Sequence, residues 1–202
     1  MMRLARRAVP AGVLLVLLGQ SVALGATANV SMTNFVFTPS SIKVSIGDTV
    51  LWTNATSTTS HTSTSDTPLS LWDSGSVPPG GTFSRVFTAA GAFPYHCTFH
   101  VSLGMVGTVV VKMKASPSSG PAGTIFTIKA ATVNASGPFV YDIQRRNPGG
   151  TFQDWMTGIT SKKALFDSSG FPSGVYQFRS RIRNSSTGAA SGFSPAKSIT
   201  VT

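Results

Sequence analysis

One short stretch, Tyr95-His96-Cys97-Thr98-Phe99-His100-Val101-Ser102-Leu103-Gly104-Met105, places a thiol, an imidazole and a thioether on a single loop. These are the soft donors that copper favours, and one further imidazole gives a trigonal His₂Cys set with a weak axial sulfur, the donor set of blue-copper electron-transfer centres. Two residues separate Cys97 from His100 and four separate His100 from Met105, so one loop can wrap three donors around one ion. Gly104 and Gly107 supply the backbone freedom that such a path needs. The missing imidazole has to come from a distant segment, and His61, within Ser57-Thr58-Thr59-Ser60-His61-Thr62-Ser63, is the histidine available there. Metal binding itself deprotonates a thiol, so Cys97 serves as thiolate.

The chain has one cysteine, which excludes an internal disulfide and leaves intermolecular pairing, a reactive thiol, a buried inert thiol or a metal ligand. An isolated free cysteine is usually a small buried hydrophobe; the neighbouring His100 and Met105 turn the reading toward metal. Zinc fits less well, because its sites prefer more thiolates or imidazoles and a thioether is a poor zinc ligand. Taken singly, Met105 reads as core filling and Val101, Leu103 and Val106 as buried packing. Beside a metal loop, Met105 reads as the axial donor and the three apolar residues as a rim around an exposed edge of His100, where a redox partner protein docks. No enzyme is expected. One cysteine precludes a two-cysteine binuclear centre, three histidines cannot furnish an additional trinuclear cluster, and no nucleophile–base arrangement stands out.

The elements that must position these groups read as strands. Charged residues are 11%, glutamate is absent, and Gly, Ser, Thr and Pro are abundant, which suits short strands joined by turns. Ile42, Val44 and Ile46 alternate, Gly47-Asp48 turns the chain, and Val50 and Trp52 resume the alternation. Phe93, Tyr95 and Cys97 share one face, so the thiol points inward at a strand end, and Thr108 to Val111 forms a closing strand. The spacing predicts an antiparallel β-sandwich over residues 28–113. Residues 124–202 are predicted to form a second one. Ile125 and Ile128 mark a strand there, as do Phe139 to Ile143 and Phe152 to Met156; Val175, Phe178 and Ile182 lie on a longer run, and Ile199 and Val201 end the chain. Between them, residues 114–123 (Ala115-Ser116-Pro117-Ser118-Ser119-Gly120-Pro121-Ala122-Gly123 at their heart) have linker chemistry.

Charge divides at the same place. Residues 28–113 balance three basic against three acidic groups, whereas residues 114–202 carry ten basic groups against three acidic ones. Arg145-Arg146, Lys162-Lys163 and the alternating Arg179, Arg181 and Arg183 read either as a solvated surface or as a stripe for an anionic cell-surface polymer. No nucleic-acid motif accompanies them, and no nucleic-acid partner is expected. The Asn-x-Ser/Thr triplets at Asn54, Asn134 and Asn184 are what chance gives in so Ser/Thr-rich a chain.

At the N-terminus, Arg3, Arg6 and Arg7 precede an apolar run from Ala8 to Leu18, followed by small residues around Ala23 to Ala28. Residues 1–27 are read as a signal peptide, the apolar run being too short for a bilayer span. Arg6-Arg7 permits a twin-arginine signal, but the residues after it match that pattern poorly and ordinary secretion ranks first. The protein is expected to be exported, to a periplasmic, cell-surface or extracellular place.

Further motifs follow in a set order: Val44-Ser45-Ile46-Gly47-Asp48-Thr49-Val50-Leu51-Trp52-Thr53-Asn54, Asp73-Ser74-Gly75, Gly80-Gly81-Thr82-Phe83, Gly91-Ala92-Phe93, Tyr95-His96-Cys97 and Gly104-Met105-Val106-Gly107-Thr108-Val109-Val110-Val111. Over residues 28–113 this resembles the cupredoxins, and the Cys-x₂-His-x₄-Met spacing is similar to that of plastocyanins rather than the shorter loop of amicyanins. The resemblance implies a Greek-key β-sandwich and one type 1 copper site, cycling Cu(I)/Cu(II), with His61, Cys97, His100 and Met105 as ligands. Ser60 and Thr62 flank His61 where plastocyanins often have proline and asparagine, so the backbone there is expected to be held differently. His96 points away from the site by strand alternation. Tyr176 to Asn184 and Ser191-Gly192-Phe193-Ser194-Pro195 resemble the penultimate-strand region of fibronectin type III or immunoglobulin-like modules, which implies a spacer or adhesive role. Together these readings make the chain an all-β, exported, plastocyanin-like single-electron carrier. The alternatives are a periplasmic or surface copper carrier without electron transfer, and an adhesive two-sandwich surface protein.

Overall fold

The computed structural model describes residues 25–202, so the segment read as an export signal lies, apart from its last three residues, outside the described part. The first sandwich contains β1 (Thr27–Thr33), β2 (Val36–Thr38), β3 (Ser41–Ser45), β4 (Thr49–Asn54), β5 (Thr64–Ser65), β6 (Thr82–Val86), β7 (Gly91–His96) and β8 (Val106–Lys112). One sheet runs β2-β1-β4-β6 and the other β3-β8-β7-β5. Period-two alternation puts Ile42 and Val44, Val50 and Trp52, and Phe93 and Tyr95 into the space between them, where all are buried.

Alternation of short strands predicts antiparallel pairing, but the sheets are mixed. β1 pairs with β4, and β3 with β8, in parallel. The chain changes sheet at Pro39-Ser40, between β2 and β3, and turns back at Gly47 (φ +95°) into β4 beside β1. Sequence neighbours β1 and β2, and β7 and β8, pair as antiparallel ribbons, whereas β1–β4 and β3–β8 pair across longer stretches of chain.

The second sandwich contains β9 (Lys114–Ser116), β10 (Ser119–Gly120), β11 (Ile125–Lys129), β12 (Phe139–Arg146), β13 (Phe152–Ile159), β14 (Lys163–Asp167), β15 (Gly174–Asn184) and β16 (Lys197–Val201). Its sheets run β10-β16-β15-β12-β13 and β14-β11-β9. Residues 114–123, which have linker chemistry, are instead drawn into this sandwich. β9 pairs with β11 and β10 with β16, because the unpaired backbone edges of those strands offer more hydrogen bonds than solvent-exposed coil needs to give up. Among the strand markers, Ile128 and Phe178 face inward but Ile125 and Val175 are exposed, since alternation puts Phe126 and Tyr176 on the buried face.

The arginine stripe lies along β15 opposite β12, with Arg181 directly across from Asp142. Asp142 accepts from Arg181 Nε at 3.1 Å and, bidentately, from Arg183 Nε and Nη2 at 2.8 and 2.9 Å. Burial pushes the Asp142 carboxyl up, but the bonds from Arg183, the Gly158 amide and Arg181 outweigh it and hold the group below its usual range. Arg179 stacks over Phe152 at 4.2 Å and Phe193 at 4.6 Å.

The two sandwiches are joined by backbone. Ala92 and Gly192 exchange N–H···O bonds of 2.8 and 3.0 Å, the Ala90 amide donates to the Ala130 carbonyl at 2.8 Å, and the Thr132 amide to the Thr88 carbonyl at 2.8 Å. A Cβ at Gly91 would stand 2.6 Å from Ser191 Oγ and 2.9 Å from the Phe93 ring. Gly91→Val is therefore expected to open this joint at an overpacking cost of about 1–3 kcal/mol. Hydrogen exchange checks it: the Ala92 and Gly192 amides should lose protection while Val109 and Phe178 keep theirs.

Candidate metal centre

The centre sits at one end of the first sandwich, where β7 ends. Tyr95 and Cys97 follow the buried face of that strand, and the Cys97 side chain is fully buried. The loop then folds back on itself. The His100 amide donates to the Cys97 carbonyl at 3.0 Å, a 3₁₀ turn spans Val101–Leu103, and Gly104 at φ +80° turns the chain toward Met105. The Met105 amide donates to the His100 carbonyl at 3.2 Å, and the Cys97 amide to the Met105 carbonyl at 3.0 Å. Cysteine, histidine and methionine are thus tied by one closed ring of backbone hydrogen bonds. Gly107 has a different task from the one its place in the sequence suggests. A Cβ there would lie 2.5 Å from the Tyr95 ring, so the glycine makes room for a buried aromatic beneath the site.

His61 arrives from the segment after β4. Its amide donates to the Val77 carbonyl at 3.1 Å and its carbonyl accepts from the Val77 amide at 2.8 Å. Asn54, at the end of β4, organises the intervening loop. Fully buried, it donates to the Thr59 and Val77 carbonyls at 2.8 and 2.9 Å and accepts from the Thr56 amide and hydroxyl at 3.0 and 2.7 Å. In the sequence Asn54 is read as the end of a strand motif and as a glycosylation triplet, with no role in holding a loop. The available signal was the Asn-x-Thr arrangement at a strand end, which is an Asx-turn pattern. Thr62 then ties this segment to the cysteine: its amide points at Cys97 Sγ at 3.3 Å and its hydroxyl accepts from the Thr98 amide at 2.8 Å. This is how the backbone is held without the flanking proline and asparagine.

His61, Cys97 and His100 bring one ligand atom each to within 4.8 Å of one another. Cys97 Sγ lies 3.3 Å from His100 Nδ1 and 3.8 Å from His61 Nδ1. Donors each about 2.0–2.3 Å from one ion stand at most about 4.5 Å apart, so these separations fit a shared ion. Met105 is fully buried on the same closed loop, and the four residues form a type 1 copper site. The chemistry of the donors agrees: one buried thiol, two imidazoles and one thioether form a set suited to copper. Burial, and then the neighbouring His100, lower the His61 pKa below its ordinary value, which favours the neutral imidazole that metal ligation requires. His96 turns away, as alternation predicts, and its Nδ1 meets Asp66 Oδ1 at 2.6 Å.

Around the half-buried His100, Val101, Leu103 and Val106 are exposed, as an apolar rim demands. The structure adds Phe35 and Phe99, whose rings lie beside the His100 ring. The Phe35 ring lies 4.5 Å from the His100 ring, centroid to centroid. Phe35 escaped sequence reasoning, although it alternates with buried Phe37 and so extends the core face out to the metal end.

Residues 24–112 match the family of copper binding proteins described as plastocyanin/azurin, and the match stops short of the second sandwich. Similar solved structures include oxidised plastocyanin from Dryopteris crassirhizoma, 28% identical over 42% of this chain and 100% of that one, with a TM-score of 0.38. A purple cupredoxin from Nitrosopumilus maritimus is 27% identical over 42% of this chain and 99% of that one, TM-score 0.38. A copper-containing nitrite reductase from Thermus scotoductus SA-01 is 21% identical over 44% of this chain and 22% of that one, TM-score 0.39. By that family match, residues 24–112 are a cupredoxin domain.

The lowered His61 pKa has a pH consequence in metal-free protein. Below the ordinary value of 6.5 the unfolded chain binds a proton that the folded one refuses, so stability falls as pH drops. Denaturant melts at pH 7 and pH 5 should show this loss, and His61→Gln should flatten it.

Proposed function

We propose that this protein is an exported single-electron carrier, with the cupredoxin domain as its redox unit and the second sandwich as a fibronectin type III-like spacer. The observation that carries the reading is the convergence of His61, Cys97 and His100 within 4.8 Å beneath an exposed apolar face. Bound copper supplies the one-electron change between Cu(I) and Cu(II). The chain's own groups do the rest. The closed loop and the Thr62 amide hold the Cys97 sulfur in place, so little rearrangement accompanies a change of charge. The fully buried His61 closes the inner side to water, while the His100 edge reaches the surface between Phe35 and Phe99.

A redox partner protein docks on this rim, whose exposed members are uncharged. Transient electron-transfer contacts are small, on the order of less than 1,200 Å² in total, and a patch of five apolar side chains suits that scale. Export is supported by the apolar run from Ala8 to Leu18, which Arg3, Arg6 and Arg7 precede.

Purified protein given Cu(II) should turn intensely blue and show one reversible wave in voltammetry. Cys97→Ser should abolish that absorption almost completely, and an unchanged spectrum would remove Cys97 from the site. Rapid exchange of the metal with chelators, with no reversible wave, would instead mark a copper carrier. Met105→Leu should leave copper bound and raise the potential, because a weak axial donor is lost; voltammetry of the variant reads the direction.

A further inference from the structure

At the opposite end of the first sandwich, where the second one joins it, a cleft of about 510 Å³ is lined by Lys112, Lys114, Lys129 and Lys197, with hydroxyls from Ser45 and Thr127. No carboxylate lines it. Asp48, which adjoins the lining through Ser45, accepts from the Ser45 amide at 2.8 Å and the Ala26 amide at 3.1 Å. Among the described residues no lysine takes part in an ion pair.

The charges are stacked by register as well as gathered. On the three-stranded sheet, Lys129 of β11 stands directly opposite Lys114 of β9 on one side and Lys163 of β14 on the other. Residues directly opposite share a face, and like charges there repel. Ile128, one residue along, is buried, so this lysine rung faces outward. Neighbouring strands lie about 4.8 Å apart, so the rung spreads three cations over about 10 Å. Among the described residues no carboxylate pairs with any of the three. Two of the rung's lysines also line the cleft, where Lys112 and Lys197 approach from other elements.

We propose that this interdomain cleft is a binding site for a multivalent phosphate anion. Lysines bind phosphate oxygens as compact point-charge donors, and four of them line the cleft. Hydroxyl donors beside ammonium groups complete the coordination of tetrahedral oxyanions. The rung repeats charge at an interval that a linear phosphate chain, free or as a phosphodiester polymer, can follow. The site is independent of the copper reading, since it shares no residue with it.

Calorimetry with the full-length protein and sodium tripolyphosphate tests this. Binding should be seen at low ionic strength and weaken as salt rises. The double variant Lys114→Gln, Lys129→Gln should lose roughly tenfold or more in affinity, by the loss of charge-assisted hydrogen bonds. Without anion it should melt at the same temperature as the parent or higher, because repulsion is relieved. Lys162→Gln, whose side chain lies outside the cleft lining, should bind like the parent. A glycerol-phosphate polymer run in parallel identifies the source: tighter binding than tripolyphosphate assigns the site to a phosphodiester chain, weaker binding to a soluble polyphosphate. No heat at millimolar tripolyphosphate in low salt, or equal affinity in parent and double variant, overturns the proposal.

Discussion

Everything at the metal end depends on how one sulfur is held. Cys97 receives the Thr62 amide at its Sγ, donates its own amide to the Met105 carbonyl, and offers its carbonyl to His100. Three of its polar contacts therefore reach the segments that bear the other three ligands. The thiol is fully buried, which shields it from solvent and raises the strength of every electrostatic contact around it. A metal centre built this way is a closed backbone circuit before any ion enters it. Burial also pushes the Tyr95 phenol, packed just beneath, up to about 12, so it stays neutral under the site.

Much of this was legible in the residues, for a physical reason. Cys97, His100 and Met105 lie on one loop, and a loop's ligands carry their geometry in their spacing. His61 was found by chemistry rather than by neighbourhood, as the one imidazole on a remote segment. What could not be read is what works through tertiary contact. Asn54 acts by four hydrogen bonds to groups up to 23 residues away, and Phe35 by lying on a ring it does not adjoin in sequence. Gly107 looked like a loop hinge but is a gap left for Tyr95. The strand positions were clear from alternation. The parallel pairing of β1 with β4 was not, because it depends on where the chain changes sheet.

The second sandwich shows the limit of reading charge from composition. Its arginines looked like a stripe open to solvent, yet Arg181 and Arg183 converge on Asp142, and Arg179 is spread over two aromatic rings. Those guanidinium groups are committed to the protein itself. Lys114, Lys129 and Lys163, far apart in sequence, are the ones brought together with no ion-pair partner, because strand register rather than sequence distance decides which side chains meet. Ser116 to Gly123, rich in small and turn-forming residues, proved to be framework for the same reason.

One strand carries both the reactive sulfur's mooring and the seam between the halves. β7 begins at Gly91, against Ser191 and Gly192, and ends beside Cys97. Its six residues make it a strut about 20 Å long. A strain applied at the seam therefore has a short path of hydrogen-bonded backbone to the sulfur, so a disturbance where the halves meet is felt at the histidine window about one strand-length away.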